Sequence, residues 1–279
     1  MERARKTLVH HGHRVTMAPT TGPHTAGAIA REQIARGAEL IVVAGGDGTI
    51  NEAAEGMIGS RVPLGILPCG TANVLAMELK LGHDPARAAR HIGDLVPRRI
   101  SVGHVVCDGG RVSRHFLLMA GIGLDAYIVY HVNPSLKARA GKLAYWVAGW
   151  KLLGRRLTQV ETEMGGESRR CSYVLMSRVR NYGGDFEIAK SVRLTDNNFE
   201  AILFEGGNTV PYVKYFAGMA ANRLKGLKGV TVLRVDEAKI ASAEKAYVQI
   251  DGELAGSLPA DVRMVHDALT LLMPAGYGR

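Results

Sequence analysis

The hydrophobic and polar positions divide the chain into two parts with different periodicity. Up to about residue 100, short apolar runs such as residues 40–44 and 62–67 alternate with segments of helical periodicity such as residues 25–37. Apolar runs rich in β-branched residues are typical of strands buried on both faces of a parallel sheet. Beyond residue 100, short alternating strands separated by glycine-rich turns predict an antiparallel β domain.

The patterns predict individual elements in both parts. In residues 1–100 we expect a further strand at 14–18 and helices at 25–37, 51–57 and 84–97. In the second part we expect strands at 101–106, 114–119, 169–176, 192–194, 201–204, 230–235, 247–250 and 268–273. A long helix at 135–153 interrupts this β region, with leucine, valine and tryptophan on one face and a basic rim at residues 137–156.

A glycine-rich loop with one carboxylate follows the strand at 40–44. Its sequence is Gly-Gly-Asp-Gly-Thr at residues 45–49, and the predicted helix 51–57 comes directly after it. Backbone N–H groups at such a helix start favour a phosphate group. Asp47 would repel that phosphate unless a cation lay between them, so we expect a nucleoside triphosphate with Mg²⁺ close to Asp47. The alternative is a turn that needs glycine only for its backbone angles.

A second strand, loop and helix repeat this order. The strand at 62–67 ends in Pro68, and the loop carries Gly-Thr-Ala-Asn at residues 70–73. Two such units in parallel order place both loops at the carboxyl edge of one sheet, where ligands bind in open α/β folds. Thr71 and Asn73 are therefore expected to face the same crevice as Asp47, although Asn73 taken alone could be a helix cap.

Composition restricts the partners and the compartment. The chain has 279 residues and a net charge of +9, which favours anionic partners, but no run of lysines interleaved with aromatic residues indicates nucleic acid. Three cysteines without C-x-x-C spacing suit a reducing compartment. With no signal peptide and no apolar run of 18 residues, we expect a cytoplasmic protein that touches membranes only peripherally. The basic rim at 137–156 could lie on an anionic membrane, or the helix could simply cover the sheet.

Four motifs occur in a fixed order along the chain. They are residues 45–52, Gly-Thr-Ala-Asn at 70–73, Gly-Ile-Gly-Leu-Asp-Ala at 121–126 and Asp-Gly-Glu at 251–253. Their order and spacing resemble the diacylglycerol kinase-like lipid kinases, which include sphingosine and ceramide kinases. The first loop alone also resembles those of NAD kinases and phosphofructokinases.

The resemblance implies a fold and an activity. It implies a phosphofructokinase-like, three-layer α/β nucleotide-binding domain over residues 1–100 and an antiparallel β-sandwich domain over 101–265. Residues 266–279 would return to the first domain as a strand, and the active site would lie in the cleft between the domains. The activity implied is the transfer of the γ-phosphoryl group of ATP, with Mg²⁺, to a hydroxyl of a membrane lipid.

The resemblance also assigns roles to residues. Glu253 would accept the proton of the lipid hydroxyl with Asp251 nearby, Asp47 would take part in catalysis, Asp125 would contact the substrate, and Asp196 would belong to a metal site. The residues that would bind the nucleotide are Thr20, Gly45, Gly46, Asp47, Gly48, Thr49, Ile50, Asn51, Glu52, Gly70, Thr71 and Asn73.

The sequence departs from the family at its start. The family usually opens with a strand that ends in an Asn-Pro-x-Ser-Gly loop, and this sequence begins after that loop. Two alternatives therefore stay open beside the lipid kinase: an NAD kinase-like enzyme, and a nucleotide- or lipid-binding regulator without catalysis. A homodimer is compatible with the sequence.

Overall fold

The computed structural model describes residues 2–124, 126–127, 154, 156–182, 186–221 and 223–278. The chain divides into two compact units, which are described one at a time. Unit 1 comprises Met1–Val102 and His266–Arg279, and unit 2 comprises Gly103–Val265. The predicted helix at 135–153 and Asp125 lie outside the described residues.

Unit 1 alternates helices and strands. In chain order its elements are α1 (Glu2–His10), α2 (Ala26–Ala35), β1 (Ile41–Gly45), α3 (Asp47–Met57), β2 (Leu64–Pro68), α4 (Val74–Glu78), α5 (Pro85–Arg90) and β3 (Leu95–Cys107), whose last residues belong to unit 2. The α/β alternation predicted for this part of the chain is thus present.

The two parallel strands of unit 1 set the positions of both loops. β1 and β2 pair in parallel from Ile41 opposite Leu64 to Gly45 opposite Pro68. Every residue of β2 is buried, but only Val43 of β1 is, because β1 is the terminal strand of its sheet as far as the structure describes it. The expectation that β1 is buried on both faces is therefore wrong.

The helix after β1 begins earlier than predicted. α3 starts at Asp47 rather than at residue 51, with Gly46 as its extended N-cap, so that Gly48 and Thr49 already belong to the helix. α2 packs closely against α3, since a Cβ on Gly56 would lie 2.1 Å from the carbonyl oxygen of Gly27. Glycine at both positions lets the two helix backbones touch, and this contact fixes the direction in which α3 leaves the loop.

Two other predictions for unit 1 are wrong. Residues 13–21 contain no strand, and among them only Val15 packs against the core of unit 1. The helix predicted for 84–97 ends with α5 at Arg90 and a 3₁₀ turn at Ile92–Asp94, and Pro97 lies inside β3.

Unit 2 is a sandwich of β-sheets with one described helix on it. Its elements are β4 (Val112–Phe116), β5 (Met119–Gly123), β6 (Val160–Met164), β7 (Glu167–Cys171), β8 (Tyr173–Ser177), β9 (Asn181–Tyr182), β10 (Phe186–Glu187), β11 (Phe199–Phe204), α6 (Val210–Ala220), β12 (Val230–Val235), β13 (Glu237–Ala241), β14 (Tyr247–Ile250), β15 (Glu253–Ser257) and β16 (Ala260–Pro274), whose last residues belong to unit 1. Six strands form one sheet in the order β12-β11-β8-β5-β14-β15. Its inner residues pack against those of β6, β13 and β16 in one buried cluster, as in sandwiches with a shared core.

Two predicted strands of unit 2 each cover parts of two strands in different sheets. The prediction at 114–119 covers the end of β4 and the first residue of β5. The run 169–176 divides at Ser172, where the chain leaves β7 and enters β8. The Ser172 hydroxyl is fully buried and contacts the Tyr212 hydroxyl at 2.9 Å, which satisfies the polar group at the crossover. The strand predicted at 192–194 is absent, and α6 was not predicted.

The C-terminal part of β16 lies in unit 1. Leu271 pairs with Leu64 of β2 in parallel, and Arg99 of β3 donates to the Thr270 hydroxyl. Among the described residues, no helix is long and apolar enough to cross a bilayer.

Candidate active site

The glycine loops of unit 1 touch each other through their backbones. We call residues 45–49 and 69–73 together the loop pair. A Cβ on Gly70 would lie 2.5 Å from the Cα of Gly46, so no side chain fits between them. The Cys69 N–H also donates to the carbonyl oxygen of Gly45 at 3.0 Å. The structure therefore brings the two predicted loops together at the carboxyl ends of β1 and β2.

Asp47 ties the first loop to the second. Its carboxylate accepts the backbone N–H groups of Val74 at 3.0 Å and Leu75 at 3.1 Å, at the start of α4. These are charge-assisted bonds to N–H groups that have no intrahelical acceptor. The first task of this carboxylate is thus to hold the loop pair, a role that sequence analysis did not give it.

Asn73 shapes the second loop from within. It adopts a left-handed conformation with φ of 49° and is 3% exposed. Its side-chain oxygen accepts the Gly70 N–H at 2.8 Å, and its side-chain nitrogen donates to the Gly70 carbonyl at 2.9 Å. Asn73 precedes α4 as a cap would, but its amide bonds to Gly70 and does not cap the helix.

The other predicted nucleotide residues differ in position. Ile50 and Asn51 point into the core of unit 1, with 1% and 5% exposure. Glu52 accepts the Ala26 N–H at 3.4 Å, at the start of α2, and lies 3.7 Å from the His24 ring. Thr71 is exposed within the loop pair, and Thr20 is exposed in the irregular segment 13–21. The groups best placed for a nucleotide are therefore the backbone N–H groups at the start of α3, because the N–H groups of Cys69 and Gly70 are donated within the loop pair.

The composition of the loop pair fits a phosphate chain with a bound Mg²⁺. The bare backbone at Gly46 and the first N–H groups of α3 suit phosphate oxygens. No group of three or more His, Cys, Asp or Glu side chains arranged for a metal ion occurs within the described ranges. Mg²⁺ commonly uses only one or two carboxylates together with phosphates and water. Asp47 can be one of them, because a carboxylate has about four lone-pair sites and two N–H bonds leave acceptor capacity.

In unit 2, Asp251 and Gly252 form the turn of a tight hairpin. Both have positive φ, 49° and 83°, and Ile250 pairs with Glu253 across the turn. An Asp-Gly pair with this geometry is the preferred two-residue hairpin connection. The strand β15 that it starts was not predicted from the sequence.

Asp251 organises the backbone at the start of β5. Its carboxylate accepts the N–H groups of Leu117, Leu118 and Met119 at 2.8, 2.9 and 2.9 Å. Three charge-assisted bonds fix the carboxylate firmly. Arg178 also binds this segment. It is fully buried and donates to the carbonyl oxygens of Leu117 and Leu194. Sequence analysis missed Arg178. The one feature of the sequence that marks this residue is a charged side chain directly after an apolar strand.

Glu253 lies beside this anchored segment and is less constrained. Its side chain is 38% exposed, and its carboxylate lies 3.5 Å from the Arg114 guanidinium. The guanidinium supplies a positive charge next to the carboxylate without the short, aligned bonds that hold Asp251. Of these two acids, Glu253 is thus the less constrained, and its role as proton acceptor stays a prediction.

Asp196 is paired in this structure. Its carboxylate accepts the Arg193 N–H at 3.0 Å and lies 2.7 Å from the Arg234 guanidinium. Its role as a metal ligand stays a prediction.

An apolar cavity that is partly open to solvent lies in unit 2 between α6 and the six-stranded sheet. Its wall is mostly aromatic, and Tyr173 stacks on Phe204 at 4.9 Å between ring centroids. Burial raises the pKa of the Tyr212 phenol well above its usual value, so this hydroxyl stays neutral and bonded to Ser172. Residues that line the cavity include Leu124, Tyr173, Phe204, Tyr212, Phe216 and Met219. No sequence pattern indicated this cavity, because its wall comes from α6 and from strands distant in sequence.

Comparison with known proteins places these features in a family. Residues 1–105 match the family model described as the diacylglycerol kinase catalytic domain. Residues 119–273 match the model described as the YegS C-terminal NAD kinase beta sandwich-like domain. These matches agree with the predicted fold, an α/β domain followed by a β-sandwich, which is thereby confirmed.

Curated relatives and solved structures agree with the family models. A diacylglycerol kinase of Bacillus subtilis is 29% identical over 273 residues, which cover 94% of this chain and 87% of the relative. A diacylglycerol kinase of Mycobacterium tuberculosis is 25% identical over 279 residues, covering 96% of this chain and 87% of its own. A crystal structure of a diacylglycerol kinase from Bacillus anthracis superposes with a TM-score of 0.74 at 22% identity, covering 92% of this chain and 84% of its own.

The hydrogen bonds of Asp47 predict that an aspartate-to-asparagine change destabilises the protein more at Asp47 than at Asp84. Asp47→Asn should lower the free energy of unfolding by about 1–3 kcal/mol, because an amide has one acceptor oxygen and would turn its NH₂ toward an N–H group. Asp84→Asn is the matched control in unit 1. Asp84 caps α5 by accepting the Ala86 N–H at 2.8 Å, and asparagine caps helices about as well as aspartate. Equal denaturant midpoints for the two variants would contradict the cross-loop role of Asp47.

Proposed function

Since this chain belongs to the diacylglycerol kinase family of lipid kinases, we propose that it transfers the γ-phosphoryl group of ATP, with Mg²⁺, to the hydroxyl of a diacylglycerol. The observation that carries the proposal is the loop pair, in which Gly46 and Gly70 touch and Asp47 bonds across to α4. Phosphoryl transfer depends mainly on positioning and on charge stabilisation, and the loop pair is suited to both.

At the nucleotide end, the chain would bind phosphate oxygens with backbone N–H groups rather than with a lysine. The first N–H groups of α3 have no intrahelical acceptors, and the helix dipole adds a partial positive charge there. Asp47 would contribute one carboxylate to the cation. Mg²⁺, when bound, neutralises charge that develops on the phosphates.

At the lipid end, the cavity of unit 2 would take an acyl chain. An almost wholly apolar wall suits a hydrocarbon chain and offers few hydrogen-bonding groups to a sugar or a nucleotide. The cavity therefore favours a lipid acceptor over the dinucleotide acceptor of an NAD kinase.

Glu253 would accept the hydroxyl proton as the phosphoryl group arrives. A lipid hydroxyl is a poor nucleophile, and a positioned carboxylate commonly raises such rates by about 10²–10⁴-fold. Arg114, whose guanidinium lies 3.5 Å away, would orient the Glu253 carboxylate. Asp251 would act as a positioning residue through its bonds to Leu117, Leu118 and Met119. The contact of Asp125 with substrate and a metal at Asp196 remain proposals from the resemblance alone.

Cys69 offers a test of nucleotide binding that does not need turnover. Its thiol is exposed inside the loop pair, whereas Cys107 and Cys171 are buried. Burial raises the pKa of Cys171 to about 12. Desolvation also raises the pKa of Cys69 above its ordinary value, so the rate of Cys69 labelling should continue to rise with pH above pH 9. We expect iodoacetamide to modify Cys69 first, and Mg-ATP to slow that reaction at least about fivefold. Peptide mass spectrometry measures the rate of Cys69 modification. Equal rates with and without Mg-ATP would contradict a nucleotide at the loop pair.

A lipid panel tests the reaction itself. The purified chain is given labelled ATP and mixed micelles containing diacylglycerol, sphingosine, ceramide or phosphatidylglycerol, with NAD as a soluble acceptor. We expect label in phosphatidic acid, and loss of product when EDTA removes Mg²⁺. Label in NADP with none in lipid would instead favour the NAD kinase. Protection of Cys69 by ATP without any product would favour a regulator.

The role of Glu253 predicts a split between turnover and binding. Glu253→Gln should lower turnover at least about a hundredfold, while ATP affinity, measured by Cys69 protection, changes no more than a few-fold. Glu163→Gln, an exposed acid on β6 of the same unit, is the matched control and should keep turnover. If Glu253→Gln weakened ATP binding as much as turnover, Glu253 would not be the proton acceptor.

A further inference from the structure

One side of α6 exposes an apolar stripe to solvent. Val210, Val213 and Phe216 follow one another at intervals of three residues and are 61%, 57% and 38% exposed. Residues three apart lie on the same side of a helix. Single exposed apolar residues are ordinary, but this helix carries three of the six exposed large hydrophobic side chains found in the described part of the chain.

The stripe leads into the apolar cavity. Phe216 belongs to both, because it is partly exposed and also lines the cavity. The opposite side of α6 is buried through Tyr212, Tyr215 and Met219, which line the same cavity. One helix thus forms a wall of the cavity and the apolar surface beside it.

The segment that carries the stripe is basic, although the exposed Glu205 lies beside it, since its backbone carbonyl accepts the Tyr215 hydroxyl at 2.9 Å. Residues 210–230 contain four basic side chains and no acidic one. Lys214 donates to the Lys228 carbonyl at 2.7 Å, which connects α6 to the loop that follows it. The basic side chains are all exposed: Lys214, Arg223, Lys225 and Lys228. An apolar stripe with a basic border is complementary to a bilayer with anionic headgroups.

We propose that Val210, Val213 and Phe216, together with Lys225 and Lys228, form a docking face that binds an anionic lipid bilayer. An acyl chain leaves that bilayer along Phe216 and enters the cavity. The nature of the entering lipid rests on the proposed function, whereas binding of the bilayer does not. A protein partner or a second copy could also cover an apolar stripe, but the excess of basic over acidic side chains in residues 210–230 and a direct path to an apolar cavity favour the bilayer.

Sedimentation with vesicles, without ATP or diacylglycerol, tests the docking face in the full chain. The vesicles contain phosphatidylglycerol and phosphatidylcholine. Val210→Asp with Val213→Asp should weaken binding at least about tenfold, since each aspartate opposes both apolar burial and the anionic surface. Both positions lie in the first turn and a half of α6, where a negative charge suits the helix dipole, so the fold should persist.

The matched control makes the same chemical change elsewhere. Val9 and Met17 are 48% and 56% exposed in unit 1, so Val9→Asp with Met17→Asp adds the same two charges at exposed apolar positions. We expect less than about a twofold effect from that pair on vesicle binding. Equal losses for the two double variants would overturn the proposal.

A second arm tests the charge. Lys225→Gln with Lys228→Gln should weaken binding to vesicles with phosphatidylglycerol by about fivefold for each removed charge. Binding to pure phosphatidylcholine vesicles should change little. A loss of the same size on both vesicle types would overturn the electrostatic part.

Two outcomes separate the docking face from its rivals and from the kinase itself. If the Val210 and Val213 changes abolish a concentration-dependent dimer in analytical ultracentrifugation but leave vesicle binding intact, the stripe is a self-association surface and the proposal fails. Selective loss of vesicle binding in those variants supports the docking face even where no lipid is phosphorylated. That result would count against the kinase and not against docking.

Discussion

The contact between the Gly46 and Gly70 backbones is the constraint on which the nucleotide end of this protein depends. Parallel pairing puts Gly45 opposite Pro68, so the two loops leave their strands side by side. With a side chain at either glycine the loops would have to separate, because a Cβ on Gly70 would lie 2.5 Å from Gly46. Separation would also break the bonds of Asp47 to α4. The glycines therefore permit a shape, and the aspartate fixes it.

Both units use an aspartate in the same way. Asp47 accepts two backbone N–H groups and Asp251 accepts three, and each thereby fixes a turn that carries other predicted site residues. A carboxylate held this way is positioned before any substrate arrives, which favours electrostatic catalysis. It also means that lost activity in an aspartate variant mixes lost chemistry with a displaced backbone. Matched variants such as those of Asp47 and Asp84 are needed to separate the two effects.

The sequence predicted what is encoded locally. Strand, loop and helix repeat twice before residue 80, and parallel order then places residues 45–49 beside 69–73 without further information. It did not predict that the run 169–176 changes sheet at Ser172, because the crossover depends on Phe204 and Tyr212 from elsewhere in the chain. The helix α6 was not predicted, because its valines, tyrosines and phenylalanine favour a strand locally. Only packing on the sheet makes this segment a helix. The hydrogen-bond partners of Asp251 and Arg178 could not be predicted either, since a pattern of residues does not reveal hydrogen bonds to backbone that is distant in sequence.

The same helix also bears on the energetics of lipid capture. A lipid that crosses water to reach a cavity exposes its acyl chain at a cost of about 0.8 kcal/mol for each methylene, on the order of 10 kcal/mol for a chain of a dozen. In the proposed docked state, Phe216 contacts both the bilayer and the cavity, so the chain can move between two apolar surroundings. The Tyr212 hydroxyl does not oppose this transfer, because it is bonded to Ser172 and its raised pKa keeps it uncharged. The basic residues near the stripe then speed the association of the protein with the membrane, whereas the aromatic wall slows the release of the acyl chain. Salt should accordingly weaken capture from vesicles more than it weakens binding of a short soluble lipid to the same cavity.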